Sequence, residues 1–281
     1  TQYTAATGLP ALRERISHWY EQRFGVDVPA GRIVVTAGAS AALHLACMAL
    51  IDPGDQILMP DPSYPCNRHF VSAAEGTAVL LPTTAEERFQ LSAAKVAAAW
   101  GPHTRGVLLA SPSNPTGTSI DPEELQRIVQ VVRAHQGITL VDEIYLGLSH
   151  EAAFGQSALA WGDDIISINS FSKYFNMTGW RLGWMVLPPA MTAHIAKLLE
   201  FNTSCAPVFV QRAAQVALQR SAEVTPRVVA HMRLCRDTLV PLLQALPGVE
   251  VALARGGMYA FFRLSDQARF GDSLATALLL A

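Results

Sequence analysis

The sequence predicts an α/β fold: a mostly parallel sheet with helices on both faces, followed by part of a smaller α+β domain. Three features of the chain predict it. Short strand-like runs alternate with helix-period segments up to about residue 205. Runs such as "RIVVT", "RGVLLA" and "ITLVD" are apolar at consecutive positions, so both faces of their sheet must be covered, which is the signature of parallel strands. After residue 205 two long helical stretches lead to "VEVALARGGMYAFFRL", which reads as two strands around Arg255, Gly256 and Gly257. Residues 1–205 thus make a larger unit, and 206–281 the start of a smaller one.

Taken in order, residues 10–24 read as a helix, with Pro10 in the first turn and Leu12, Ile16, Tyr20 and Phe24 recurring every four residues. "RIVVTAG" is a short strand ending at Gly38, and "ASAALHLACMAL" the helix that follows it. A "DPGD" turn leads to the strand "QILMP", then come the runs "TAVLLP", "RGVLLA", "ITLVDE" and "DIISINS". Between them "DPEELQRIVQVVRAH" is a helix, with Asp121 expected as N-cap and Pro122 at the first helical position.

Half of the 281 residues are apolar, 16% are charged and the net charge is −2. This excludes a disordered chain and a basic nucleic-acid-binding surface. None of the four cysteines has C-x-x-C spacing, which fits reduced thiols and a cytoplasmic setting, and no metal site is expected. No signal peptide is read, and "AALHLACMALI" is too short to span a bilayer, so no membrane partner is expected.

In parallel sheets ligands bind at the carboxyl ends of the strands. Four such ends carry chemistry here. "VVTAG" is followed by Ala39 and Ser40 at a helix start, where amide groups and a hydroxyl suit an anion; a plain small-residue turn is the alternative. "VLLA" runs into "SPSNPTG", a rigid turn holding Asn114, and "TLVDEIY" ends in Asp142, Glu143 and Tyr145, where Asp142 beside a phenol suits a heterocycle or, equally, a helix cap or turn. "IISINS" precedes Lys173. Of three lysines, Lys95 and Lys197 sit in helical patterns, whereas Lys173 follows a strand end, where an amine faces either a ligand or solvent. Arg181 suits a phosphate clamp or a surface ion pair, and Tyr64, between prolines, suits stacking on a flat ring or local packing.

The motifs "SPSNPTG", "VDEIY" and "SFSKYFNMTGWRLGW", in that order, resemble the class I/II aminotransferases related to aspartate aminotransferase, enzymes of fold type I that use pyridoxal 5′-phosphate (PLP). The resemblance runs from about Tyr3 to Arg263. It implies that 1–205 is the PLP-binding large domain. Lys173 would form the Schiff base with the cofactor and act as general base, and Asp142 would pair with the ring nitrogen. Tyr145 and Asn114 would bond the ring hydroxyl oxygen, and Tyr64 would stack on the ring. Ala39, Ser40, Ser170 and Arg181 would hold the phosphate, joined by Tyr3 of a second subunit across a homodimer interface. The implied reaction is ping-pong transfer of an amino group from an amino acid to a 2-oxo acid.

Family chains also carry a C-terminal arginine for the substrate carboxylate, and Arg255 and Arg263 lie in the wrong context for it. Together with a first residue other than Met and a last segment "SLATALLLA" in helical pattern, this leads to the expectation of a longer parent protein. Two alternatives share the fold: a PLP-dependent C–S lyase, and an aminotransferase-like sensor domain of a transcription regulator. "SFSK" also fits the S-x-x-K of penicillin-binding proteins, with Ser170 as nucleophile, but no lysine follows Lys197 to supply their K-T-G element.

Overall fold

A computed structural model of the chain describes residues 2–265. Residues 266–281, assigned above to the smaller unit, lie outside the described residues. Helix α1, Pro10–Phe24, has the expected bounds and ends on Gly25 in the left-handed conformation, with Gly25 N–H bonded to the Glu21 carbonyl. Next come β1 Ile33–Thr36, α2 Ala39–Leu50, β2 Gln56–Asp61, α3 Cys66–Ala73, β3 Thr77–Pro82, α4 Ala93–Ala99, β4 Thr104–Ala110, α5 Pro122–Ala134, β5 Ile138–Asp142, β6 Ile166–Ser170 and β7 Gly183–Val186. Helices α6 Thr192–Thr203, α7 Val208–Gln219 and α8 Ser221–Gln244 follow, then strands β8 Val249–Val251 and β9 Phe262–Leu264.

The first seven strands form one sheet in the order β1-β7-β6-β5-β4-β2-β3, and β8 pairs with β9 in a separate antiparallel ribbon. Strands β2 to β6 pair in parallel, whereas β7 runs antiparallel to both β1 and β6. Sequence reading missed β7, because its first two residues are the end of the "GWRLGW" motif and the strand carries no turn signal of its own.

Alternate residues of the central strands enter two different cores. Val35, Leu109, Val141 and Trp184 pack on one face, and Val34, Leu108, Leu140 and Met185 on the other. This is the two-faced burial that the continuous apolar runs require. Helix α7, expected to open the smaller unit, packs along α1, and its Gln211 amide oxygen accepts the Leu9 N–H at 2.7 Å.

One local expectation is corrected. Asp121 stands at the N-cap position of α5, but its side chain caps nothing; it pairs with Arg88 from 33 residues away. A guanidinium partner holds that carboxylate more strongly than one backbone N–H does.

Candidate active site

Strands β1, β4, β5 and β6 end at the same edge of the sheet. Because β7 is antiparallel, its first residue lies there too: Gly183 pairs with both Thr36 and Ser170. The chain therefore returns Arg181 to the edge that Lys173 has just left. A cleft of about 320 Å³ opens along it. Its walls include Ala39, Ser40, Tyr64, Asn114, Asp142, Tyr145, Lys173 and Arg181, eight of the ten residues singled out in the sequence.

The aromatics around Lys173 explain how the loop holds it. Phe171, Tyr174 and Phe175 are buried, and Phe171 meets Trp184 edge to face with ring centroids 5.0 Å apart. The Tyr174 hydroxyl donates to Thr225 Oγ1 at 2.6 Å. Gly147 makes room for that ring, since a Cβ there would stand 2.5 Å from it. With its neighbours turned into the core, Lys173 is left on the cleft wall. Among the described residues neither Lys173 nor Arg181 takes part in an ion pair.

One end of the cleft is built for an anion. Arg181 adopts φ +51°, and its guanidinium lies over the start of α2: a Cβ on Gly38 would stand 2.6 Å from Nη2. Gly38 itself has φ +100°, so the position suits glycine on both counts. Gly183 allows the same approach from below, since its Cβ would stand 2.8 Å from the Gly38 carbonyl carbon. No side chain caps the N-terminus of α2. Two positive ends thus meet, the helix N-terminus and a guanidinium, an arrangement that an anion between them relieves.

At the other end Asp142 closes β5. It is almost fully buried, and among the described residues its side chain takes one hydrogen bond, from Ile144 N–H at 3.0 Å. Burial pushes its carboxyl up to about 6. A desolvated carboxylate on a cleft wall, with no cationic partner among the described residues, is a place for a cation. Next to it Glu143 faces away into the protein, where the hydroxyls of Ser157 and Ser167 and the Ala158 N–H all donate to it. Burial still pushes Glu143 up to about 7. The Tyr145 hydroxyl lies 2.6 Å from that of Tyr259, and burial, followed by this partner, holds Tyr145 well above the ordinary phenol range.

Two of the ten residues lie elsewhere. Ser170 is wholly buried, with its hydroxyl bonded to the Leu182 carbonyl and to Ser172; it is Ser172 that lines the cleft. The same burial leaves Ser170 no access for the S-x-x-K chemistry. Tyr3 is 85% exposed and is not part of the cleft of its own chain. Arg255 pairs with Glu151 and Arg263 with Glu250, so neither reaches the cleft. Sequence reading placed Ser172 at the β6 strand end without giving it a role, and missed Thr178 and Tyr259 as wall residues. Ser172 stands inside a motif already quoted, whereas Tyr259 is 114 residues from Tyr145 and had no local signal.

This donor set is compatible with a flat ring that carries an anionic substituent at the α2 end, a protonated nitrogen near Asp142 and an electrophilic carbon for an amine. No group of three or more His, Cys, Asp or Glu side chains suited to a metal occurs among the described residues. No helix among them is long and apolar enough to cross a membrane.

The family model described as aminotransferase class I and II matches residues 1–279. The chain is 37% identical over 277 residues to the valine–pyruvate aminotransferase of Mycobacterium tuberculosis, covering 97% of this chain and 70% of that one. It is 32% identical to an arginine–pyruvate transaminase of Pseudomonas aeruginosa, covering 99% and 72%. Among solved structures, an aminotransferase from M. tuberculosis superposes with a TM-score of 0.92 at 36% identity, over 99% of this chain and 72% of that one. An aspartate aminotransferase of Thermus thermophilus, solved with maleate, gives a TM-score of 0.92 at 28% identity over 100% and 74%.

Proposed function

Because the chain belongs to the class I and II aminotransferase family, we propose that it moves an amino group between an amino acid and a 2-oxo acid by a ping-pong mechanism, with PLP held in the cleft. The observation that carries this reading is the meeting of Lys173, Asp142 and the Arg181–α2 anion end around one space. In the assignment of parts, Arg181, the first amides of α2, Ser40 and Ser172 hold the phosphate, and Lys173 Nζ is the covalent anchor. Ser170 serves behind them by fixing Ser172. Tyr64 stacks on the ring, and Asn114 and Tyr145 bond its hydroxyl oxygen.

When bound, PLP supplies an electron sink for the pair released as the substrate Cα–H bond breaks. The chain's own groups do the rest. Lys173 Nζ, freed from its anchoring role by the substrate amine, would take the proton from the substrate Cα as general base and return it, on the same face, to the carbon it had anchored. Asp142 keeps a proton on the ring nitrogen, and contact with that cation draws the carboxyl back from the raised value burial gives it. Buried Glu143 ties β6 to the 158–161 turn and keeps the β5 end rigid. A two-fold homodimer in the cytoplasm belongs to the same reading, with exposed Tyr3 reaching the phosphate end of the partner's cleft.

The test is direct. The protein is incubated with PLP, reduced with borohydride and mapped. The label is expected on Lys173; a label on Lys95 or Lys197 overturns the assignment. Amino donors are then screened against pyruvate and 2-oxoglutarate, starting from pyruvate because two relatives are named for it. Transfer that needs the oxo acid supports the reading, while oxo-acid and ammonia release without an acceptor replaces it with a lyase.

A further inference from the structure

Tyr259 enters the cleft from far along the chain. It sits on the segment between β8 and β9, and that segment is strapped to the sheet edge by backbone. The Arg255 N–H donates to the Gly117 carbonyl at 2.8 Å, the Gly257 N–H donates to the Leu148 carbonyl at 3.2 Å, and the Arg255 carbonyl accepts the His150 N–H at 2.8 Å. Gly117 admits the strap closely, because a Cβ there would stand 2.9 Å from Ala254 Cβ and 3.2 Å from the Tyr259 carbonyl oxygen. The Tyr259 ring meets that of Tyr145 edge to face, 5.5 Å between centroids, and brings the two hydroxyls to 2.6 Å.

Each phenol carries one proton to donate. If Tyr145 donates to Tyr259, it has nothing left to donate into the cleft. If Tyr259 donates to Tyr145, the Tyr145 proton is free for an acceptor there. An oxygen of anionic character in the cleft selects the second arrangement, and a hydroxyl that is itself receiving a bond is a stronger donor. The other charged and titratable groups facing the pair are Asp142 and Tyr64, with Lys173 and Arg181 in the same cleft.

We infer that Tyr259 is a positioning residue: it donates to Tyr145, fixes the direction of the Tyr145 hydroxyl and strengthens the bond Tyr145 gives to the ring oxygen of the cofactor. The inference rests on the function proposed above and adds to it a residue from outside the large-domain motifs. A donor to that oxygen favours its deprotonated form. Weakening the donor therefore raises the pH at which the bound cofactor loses its proton.

The experiment is a pH titration of the visible absorbance of the PLP-loaded protein, for the wild type, Tyr259→Phe, Tyr145→Phe and the double variant. Circular dichroism verifies the fold of each. Tyr145→Phe should move the midpoint up, and Tyr259→Phe should move it the same way by about half a unit. The double variant should match Tyr145→Phe alone, because Tyr259 acts only through Tyr145. An unmoved midpoint in Tyr259→Phe beside a moved one in Tyr145→Phe overturns the inference and leaves the proposed function standing. An additive shift in the double variant overturns it too. If no visible band forms in the wild type, the proposed function falls and this inference with it.

Discussion

At the α2 end of the cleft one guanidinium faces a helix N-terminus whose amides are shared among several residues. At the β5 end the wall is made of single side chains, Asp142 and Tyr145, each desolvated and each with one hydrogen-bond partner among the described residues, Ile144 N–H and Tyr259. The first end spreads its work over backbone that no substitution removes. The second concentrates it in groups that have no substitute. Anion binding should therefore weaken by degrees on mutation, while the chemistry should fail at one residue.

The largest effect that sharpens this contrast is expected from Lys173→Ala. Turnover should be lost in steady-state assays, while equilibrium dialysis still shows PLP bound through the α2 end. Loss of binding along with turnover would break the contrast, since it would make the amine the main hold. Next comes Asp142→Ala, with a fall in kcat/KM of about 10²–10³-fold, on the scale of other preorganised charge partners. Wild-type half-reaction rates in that variant would remove Asp142 from the chemistry.

The same carboxylate gives a stability prediction. Burial holds Asp142 at about 6 and Glu143 at about 7, above their ordinary 3.8 and 4.5. The folded PLP-free protein binds these protons more tightly than the unfolded chain does. Its stability from these groups is full below about pH 4 and falls as pH rises through 6 and 7. Asp142→Asn should thus stabilise the PLP-free protein by about 3 kcal/mol at pH 8 and make almost no difference near pH 4, read by urea unfolding. A variant less stable at pH 8 would contradict the desolvation account.

Smaller effects belong to the anion end. Arg181→Gln should weaken PLP binding about tenfold, or about 1.4 kcal/mol, because the α2 amides stay in place. Gly38→Ala should cost a comparable amount by pushing the guanidinium aside and straining φ. Tyr3→Phe should be the mildest, about 1 kcal/mol or less in PLP retention, and should be felt in the partner's site. Mixed dimers of Tyr3→Phe and Lys173→Ala subunits should then recover one intact site each, counted by bound PLP and activity.

The same two regions differ in how they can be read from sequence. The α2 end was legible because its parts are local: helix bounds 39–50 follow from the apolar pattern, and Arg181 lies eight residues beyond Lys173 in one motif. Asp142 and Tyr145 were legible from the strand end for the same reason. Tyr259 was not, since a hydroxyl pair across 114 residues leaves no periodicity behind. Ser170 was preferred to Ser172 because both flank one phenylalanine, and only the pairing of β6 with β7 decides which hydroxyl is turned inward. Asp121 shows the same limit in miniature: its place as N-cap was visible, but its partner Arg88 was not.

The antiparallel return of β7 has one more consequence. It makes residues 171–182 a closed excursion whose two feet, beside Ser170 and Gly183, are paired neighbours in the sheet. Lys173 near one foot and Arg181 near the other are therefore two grips on a single rigid handle. A molecule held by either grip meets the other at a high effective concentration, and letting go of one does not mean leaving the protein. On the function proposed above, such a chelate would let Lys173 release and recapture its partner in every cycle without the protein losing hold of it.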